Sequence, residues 1–141
     1  MLNPTQNIDN LEEKAGIDMK QVVQAHGANR GAVCAVCRAP YDQELMQQAV
    51  RDQKVLYCES DRCKGKKSPV KPNIVFFGEQ LPTEFTEMIK NKIMEQCDLL
   101  IVMGTALAVA PFNHLVRLAP KKCLKVLMNM NNTKTTGGFD F

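Results

Sequence analysis

Two pairs of cysteines constrain the folding of this chain more than any other feature. Cys34 and Cys37 form a Cys-x-x-Cys pair, and after twenty intervening residues Cys58 and Cys63 form a Cys-x4-Cys pair. Two close pairs separated by a loop can bring four thiolates to one tetrahedral zinc ion. The second pair is wider than the usual spacing, and four unrelated thiols or a disulfide pair are the alternative. We predict a closed, structural zinc site on these four cysteines.

The chain shows no signal for export or for membrane insertion. Its N-terminus, M-L-N-P-T-Q-N, contains no basic stretch followed by an apolar one. The longest apolar run, residues 99–112, is interrupted by Gly104 and Pro111 and is shorter than the ~20 residues that span a bilayer. We therefore expect a soluble, intracellular protein, in the nucleus or the cytoplasm, with no membrane partner. Disulfides are rare there, which favours metal ligation or buried thiols for the six cysteines.

Apolar periodicity outside the cysteine-rich stretch predicts an α/β fold. Strands and helices alternate along the chain, which indicates right-handed βαβ units in a parallel sheet. Ligands bind at the carboxyl ends of such strands, which here are Gly78-Glu79, Gly104-Thr105 and Asn129. The predicted elements are a short helix ending at Gly16, strands over 20–26, 73–78, 98–104 and 124–129, and helices over 83–97 and 109–119. Residues 98–104 are apolar on both faces, as is typical of a central parallel strand.

Several other residues have ordinary interpretations. His26 lies at the end of a predicted strand and before a glycine, and four thiolates make it unnecessary as a metal ligand. A histidine of this kind is most often a core or surface residue. Cys97 and Cys123 are interpreted as buried thiols, and His114 as a structural or solvated residue. Four lysines, Lys64, Lys66, Lys67 and Lys71, are interpreted as a solvated loop in preference to a nucleic-acid contact.

Six stretches occur in an order that carries more information than any one of them. They are T-Q-N-I-D (5–9), A-H-G (25–27), the two cysteine pairs, P-N-I-V-F-F-G-E-x-L-P (72–82), D-L-L-I-V-M-G-T-A-L-x-V-x-P-F (98–112) and L-M-N (127–129). In this order, and over nearly the whole chain, they resemble the sirtuin family of NAD-dependent protein deacylases.

The resemblance implies a fold, an activity and partners. Residues 1–31 and 72–141 would form an incomplete Rossmann-like NAD-binding domain, with a small zinc-binding module, residues 32–71, inserted in it. The activity would be NAD-dependent deacetylation of protein lysines, in which the acyl oxygen attacks C1′ of the nicotinamide ribose. Nicotinamide then leaves and the acetyl group ends on ADP-ribose. The substrate would be an acetylated protein such as a histone, and no direct nucleic-acid partner is expected.

The resemblance also implies a role for each matching residue. His26 would be the general base that takes a proton from the ribose hydroxyls, and an imidazole is suited to that role near neutral pH. The ribose and nicotinamide pocket would contain Gln6, Asn7 and Asp9, with Asn7 also acting in catalysis. The acyl-lysine tunnel and the strand that pairs with the peptide would contain Val75, Phe76, Phe77, Gly78, Glu79 and Val109. The rest of the dinucleotide would contact Gly104, Thr105, Ala106 and Asn129.

The chain departs from the family pattern in two places. Ala106 stands where the family usually has a serine, which removes a hydroxyl donor that contributes about 1 kcal/mol. The glycine-rich NAD loop that normally precedes T-Q-N-I-D is not in these residues. A second hypothesis therefore stays open, in which the chain is a catalytically inactive, zinc-stapled fragment that acts as a binding module.

Overall fold

Residues 1–91, 93–131 and 138–141 are described by a computed structural model of the chain. The chain divides into two units, Met1–Pro82 and Thr83–Phe141. The first unit contains the cysteine-rich stretch together with the residues that precede it. The predicted division into 1–31 plus 72–141 and an inserted 32–71 stays a prediction. Within the described residues, every helix is too short or too polar to cross a membrane.

A parallel pair of short strands opens the first unit. β1 (Asn3–Thr5) pairs with β2 (Val22–Gln24), and α1 (Leu11–Lys14) and a 3₁₀ turn lie between them. The helix is capped at its C-terminus by Ala15, and the next residue, Gly16, has a φ of 80°, which glycine adopts without strain. The predicted short helix is confirmed, and the predicted 20–26 strand is present in a shorter form. β1 itself has too few apolar residues to be predicted.

An antiparallel sheet follows, with β3 (Gly27–Cys34) at its centre. β4 (Pro40–Tyr41) pairs with one edge of β3, and β5 (Val70–Ile74) pairs with the other. The predicted strand over 73–78 is therefore wrong in its bounds and in its sheet, because it belongs to β5 and pairs antiparallel. The apolar run misled the prediction, since Phe77 near its end is fully exposed.

The cysteine-rich stretch contains a helix that was not predicted. α2 (Gln43–Arg51) begins after Asp42, whose carboxylate accepts hydrogen bonds from the backbone N–H groups of Glu44 and Leu45. This is an ordinary N-cap. The partly buried Met46 packs against the cysteine cluster, while Leu45 and Val50 are exposed. The apolar residues of α2 recur at helical spacing, so the periodic signal was present and the sequence analysis missed it; they are Leu45, Met46, Ala49 and Val50.

The second unit contains a second parallel pair of strands. β6 (Leu99–Met103) pairs with β7 (Leu124–Met128) in register. α3 (Thr83–Lys90) and a 3₁₀ turn (Ile93–Gln96) precede β6, and a 3₁₀ turn (Phe112–His114) leads into α4 (Leu115–Leu118). The predicted helix over 83–97 is therefore wrong in extent, since α3 ends at Lys90, and its residue 92 lies outside the described residues. The predicted strands over 98–104 and 124–129 are confirmed.

The core of the second unit is apolar, but one face of its sheet is not covered. Phe85 is fully buried, and its ring stacks on that of Phe112 with 5.9 Å between centroids. On β6, Leu99, Ile101 and Met103 are each at least 45% exposed. The expectation of a strand buried on both faces is therefore wrong for the described residues, because β6 and β7 form a sheet of only two strands there.

Candidate functional site

The four predicted zinc ligands lie together in the first unit. The Sγ atoms of Cys34, Cys37, Cys58 and Cys63 all lie within 4.8 Å of one another. The Sγ atoms of Cys34 and Cys63 are 3.7 Å apart, as are those of Cys37 and Cys58. A tetrahedral zinc ion with Zn–S bonds of about 2.3 Å places its sulfurs about 3.8 Å apart. The arrangement therefore fits one zinc ion held by four thiolates.

The electrostatics of the cluster also fit a bound dication. A backbone hydrogen bond with Ala39 lowers the pKa of Cys37 to about 6. Burial acts to raise the pKa of Cys34, but the N–H groups of Cys37 and Val36 outweigh it and lower that pKa. The Ser68 side chain acts to lower the pKa of Cys63, but burial and the neighbouring thiols raise it to about 11. Several thiols this close cannot all ionise beside one another unless a cation offsets their repulsion.

Backbone and side-chain contacts hold the cysteines in place. The N–H groups of Val36 and Cys37 donate to Cys34 Sγ at 3.3 and 3.4 Å. The Tyr41 hydroxyl accepts from the Glu59 N–H at 2.7 Å, which fixes the backbone next to Cys58. Ala32 and Val70 are the buried residues of this cluster other than cysteines. The cluster is therefore built mainly of sulfur and backbone, with few large apolar side chains.

His26 lies between β2 and β3, away from the four ligands of the cysteine cluster. Its Nδ1 is 3.1 Å from the backbone carbonyl oxygen of Gln6. A carbonyl oxygen only accepts, so Nδ1 carries the proton and donates to it. Nε2 is then the nitrogen with a free lone pair in the neutral ring. The half-buried imidazole is thus oriented with its basic nitrogen defined.

The backbone next to His26 is held against β5 at very close range. The Val75 N–H donates to the His26 carbonyl at 2.9 Å. Gly27 has a φ of 72°, and a Cβ on it would lie 2.5 Å from the Asn73 carbonyl oxygen. Only glycine fits such an approach. The A-H-G and V-F-F-G-E motifs therefore meet in the structure.

Residues 75–79, called here the F-F-G loop, close on themselves. The Glu79 carboxylate accepts from the Phe76 N–H at 2.8 Å, and the Glu79 N–H donates to the Phe76 carbonyl at 3.0 Å. Phe77 is fully exposed at the turn, and Gly78 has a φ of 84°. The Phe76 N–H, and after it Lys71, lower the pKa of Glu79 below its ordinary value of 4.5. The carboxylate therefore stays ionised well into the acidic range.

The T-Q-N-I-D residues lie beside His26 or use their polar groups locally. Gln6 contacts the imidazole through its backbone carbonyl. The Asn7 N–H donates to Thr5 Oγ1 at 3.1 Å, and the Asn7 side chain is exposed. Asp9 Oδ1 accepts from the Leu11 N–H at the start of α1. A cavity of about 360 Å³ includes Asp9 in its wall, and its other lining residues are Asn10, Glu13, Lys14, Asn29, Arg30 and Gln43.

The remaining predicted site residues belong to the second unit, at the carboxyl ends of β6 and β7. The Gly104 N–H donates to the Met128 carbonyl at 3.1 Å. Asn129 Nδ2 donates to the carbonyls of Thr105 at 3.1 Å and of Asn131 at 2.9 Å, and its side-chain oxygen accepts from none of the described residues. Ala106 and Val109 are exposed. Gly104, Thr105 and Asn129 therefore meet at one edge of the sheet, as expected for parallel strands.

Comparison with known proteins decides the family. A sequence profile of the Sir2 family matches residues 1–111. The chain belongs to the Sir2 family. It is 42% identical over 142 residues to the NAD-dependent deacetylase sir2A of Dictyostelium discoideum, which covers 99% of this chain and 27% of that protein. It is 38% identical over 149 residues to the NAD-dependent protein deacetylase sirtuin-2 of Danio rerio, covering 97% and 38% respectively.

A solved Sir2 structure shares the fold of this chain. The structure described as Sir2–p53 peptide–NAD+ matches it with a TM-score of 0.77 and 30% identity, over 96% of this chain and 54% of that one. The predicted Rossmann-like α/β fold is therefore confirmed. This Sir2 chain spans well under half the length of the two curated relatives.

The sequence analysis missed two features of this Sir2 chain that shape the site. Lys71 was interpreted as part of a solvated lysine loop, but it is only 6% exposed and lies on β5. That interpretation is wrong for Lys71, while Lys64, Lys66 and Lys67 are exposed as expected. Lys71 is the one lysine of the four that directly follows an aliphatic residue, Val70, and that position was a weak signal that it belongs to a strand. Tyr41 carried no signal that tied it to Cys58.

Proposed function

We propose that this chain carries the catalytic core of an NAD-dependent protein-lysine deacetylase, which transfers the acetyl group to ADP-ribose and releases nicotinamide. The observation that carries the proposal is the orientation of His26 in a member of the Sir2 family. Its Nδ1–H is committed to the Gln6 carbonyl, so its Nε2 is available to take a proton. The two relatives described above are named as deacetylases, but this chain spans only part of each.

The general base of this reaction would be His26. A histidine at the base position contributes about 10²- to 10⁴-fold to rate when it is correctly placed. The bond to Gln6 fixes the tautomer, and the bond from Val75 to the His26 carbonyl fixes the backbone. In the proposal, Nε2 takes a proton from a ribose hydroxyl, and Asn7 lies in the same pocket with Gln6 and Asp9.

NAD, when bound, supplies the leaving nicotinamide and the ADP-ribose that accepts the acetyl group. The residues that would hold its other half are Gly104, Thr105, Ala106 and Asn129. Gly104 has a φ of 60°, and no described heavy atom lies within 4 Å of the place of a Cβ, so the backbone there is open to a ligand. The side-chain oxygen of Asn129 would accept from a ribose hydroxyl.

The acyl-lysine side chain would lie against the F-F-G loop and Val109. Phe76 and Phe77 are exposed aromatic side chains, and a neutral acylated lysine is a suitable partner for them. The substrate would be an acetylated protein, with histones as one candidate class, and its backbone would pair with the exposed residues of this loop. The proposal includes a nuclear or cytoplasmic location, where free thiols persist.

Nicotinamide release tests the proposal. Zinc-loaded chain is incubated with NAD and an acetyl-lysine peptide, or with the same peptide unacetylated. We expect release only with the acetylated peptide, and we expect His26→Ala to lower the rate by about 10²- to 10⁴-fold. His114→Ala is the matched control, because His114 is the other histidine and is exposed in the second unit.

Three outcomes would contradict the proposal. Equal activity of His26→Ala and the unmodified chain would remove His26 from the base role. A folded, zinc-bound chain that releases no nicotinamide would favour the binding-module hypothesis. Loss of zinc from His26→Ala would instead make His26 a ligand, against the four-thiolate geometry.

A further inference from the structure

Lys71 is a charged side chain in an unusual environment. It lies on β5, opposite Val33 of β3, and is 6% exposed. A buried lysine is stable as a cation only if its ammonium is paired and hydrogen-bonded. The hydrogen bonds and the ion pair of the Lys71 ammonium therefore indicate the role of this residue in the fold.

Every described contact of the Lys71 ammonium leads to the segment that follows it. Nζ lies 3.0 Å from Glu79 Oε2 in a salt bridge. It also donates to the carbonyl of Ile74 at short range and to that of Pro72 at 3.4 Å. The same nitrogen lies over the Phe76 ring, 4.6 Å from its centroid, within the range of a cation–π contact. One buried ammonium thus contacts both ends of the F-F-G loop.

Glu79 completes the arrangement from the other side. Its Oε2 accepts from Lys71 and from the Phe76 N–H at once. The side chain is 32% exposed, so it is neither a free surface carboxylate nor a fully buried one. One contact closes the F-F-G loop on itself, and the other ties the loop to Lys71 on β5. Oε2 of this carboxylate is therefore occupied in holding the loop, while Oε1 takes part in neither contact.

Val75, the first residue of the same loop, is hydrogen-bonded to the backbone of His26. The Val75 N–H donates to the His26 carbonyl, and Gly27 allows the two backbones to approach that closely. The loop is therefore held at Val75 by the backbone of the proposed base, and at Phe76 and Glu79 by Lys71. The exposed Phe77 stands between the two loop residues that Lys71 contacts.

We propose that Lys71 and Glu79 are positioning residues, which hold the F-F-G loop in the shape that receives the acyl-lysine peptide beside His26. This inference rests on the proposed function for its substrate, while the positioning itself concerns only the fold. It adds a positioning role for Glu79 to the predicted substrate contact, which stays a prediction. It also explains why the loop presents a neutral wall, since the lysine charge is offset inside it.

Amide hydrogen exchange tests the positioning without any need for activity. The Phe76 and Glu79 N–H groups are both hydrogen-bonded within the loop. In zinc-loaded chain we expect both to exchange about tenfold faster in Lys71→Met and in Glu79→Ala than in the unmodified chain. Lys71→Arg should keep the slow rate, because it keeps the charge and the donors. Lys67→Met is the matched control, since Lys67 is an exposed lysine of the same segment.

Steady-state kinetics test the consequence. We expect Lys71→Met to raise the KM for acetylated peptide by about ten- to a hundredfold, with the KM for NAD changed by less than about twofold. Lys71→Arg should restore the peptide KM, and Lys67→Met should leave it unchanged. A loss that was merely structural would change both KM values and lower the zinc content. Should Lys71→Met fail to fold, Glu79→Ala makes the same test from the more exposed partner.

The outcomes separate this proposal from the proposed function. Unchanged exchange of Phe76 and Glu79 in both variants overturns the positioning role, whatever the activity. Faster exchange with an unchanged peptide KM, in an active chain, overturns the link to substrate. Faster exchange in a chain that releases no nicotinamide supports the positioning role and counts against the proposed deacetylase activity alone.

Discussion

The cysteine cluster and the core of the second unit are stabilised by different physical means. The cluster buries Ala32, Val70 and three of its four cysteines, and its partly buried members include Cys37, Met46 and Leu56. The second unit instead buries large apolar side chains, namely Phe85, Met88, Met94, Leu107, Leu115 and Val116. The few apolar residues of the cysteine cluster cannot offset the conformational entropy that its forty-residue segment loses on folding. The stability of the cysteine cluster therefore depends on a metal ion, and that of the second unit depends on apolar packing.

Removal of zinc should have the largest effect, and it should be confined to the cluster. Structural zinc contributes on the order of 10 kcal/mol in small zinc peptides. We expect Cys58→Ser to lose the bound zinc and the amide protection of β3 and β5. Metal analysis and hydrogen exchange measure both. Cys97→Ser is the matched control and should keep one zinc per chain; zinc loss from it as well would contradict the four-ligand assignment.

Truncation of Phe85 should have the next largest effect, with the opposite pattern. Phe85 is fully buried and stacked on Phe112, so Phe85→Ala should lower the free energy of unfolding by about 3–5 kcal/mol. The zinc content should stay at one per chain. Met130→Ala, at a side chain that is 99% exposed in the same unit, should change stability by less than about 0.5 kcal/mol. Denaturant unfolding followed by zinc analysis would show whether the two regions respond separately.

Two glycines of β3 allow a sharper test within the first unit. Gly27 and Gly31 both have positive φ, but only Gly27 faces a close neighbour. Gly31→Ala should lose about 1–2 kcal/mol from backbone strain alone. Gly27→Ala should lose a further 1–3 kcal/mol, roughly, because its Cβ would meet the Asn73 carbonyl. Equal melting temperatures for the two variants would show that β3 and β5 are not held as closely as described.

The Arg30–Glu13 ion pair should contribute least. Arg30 Nη1 and Glu13 Oε2 are 2.8 Å apart, but each side chain is about half exposed. Exposed pairs contribute about 0.2–1 kcal/mol, and salt screens them. We expect a double-mutant cycle with Arg30→Ala and Glu13→Ala to give a coupling energy in that range that falls at high salt. A coupling energy that is larger and insensitive to salt would contradict the exposed geometry.

The cysteine cluster could be predicted from sequence because its chemistry is local. Cys34 and Cys37 are joined by one tight turn, so their spacing alone indicates a metal ligand pair. Gly104 and Thr105 could also be predicted as site residues from local sequence, because they directly follow an apolar strand. Burial was harder to predict: Leu99 and Ile101 look like core residues in the sequence and are exposed in the structure. Hydrophobicity shows that a side chain favours burial but not which surface covers it.

For Lys71 the error has the opposite sign, because its residue type predicts exposure and the structure shows it buried. By composition it is one more lysine near Lys64 and Lys67, and a lysine is exposed by default. Its burial depends on Glu79, eight residues later, and on the Phe76 ring, which the loop brings back over it. Such a contact follows from the path of the backbone after β5, and no spacing rule describes that path.

The metal ligands, the order of the motifs and hence the family could be read from the sequence, because each motif consists of residues that are close along the chain. The tertiary structure alone decided that His26 Nδ1 is bound to the Gln6 carbonyl, that β5 pairs antiparallel with β3, and that Lys71 is buried. These features depend on groups that are distant in sequence and meet only when the backbone folds. Directional hydrogen bonds and close packing then select one arrangement among the many that the same motifs would allow.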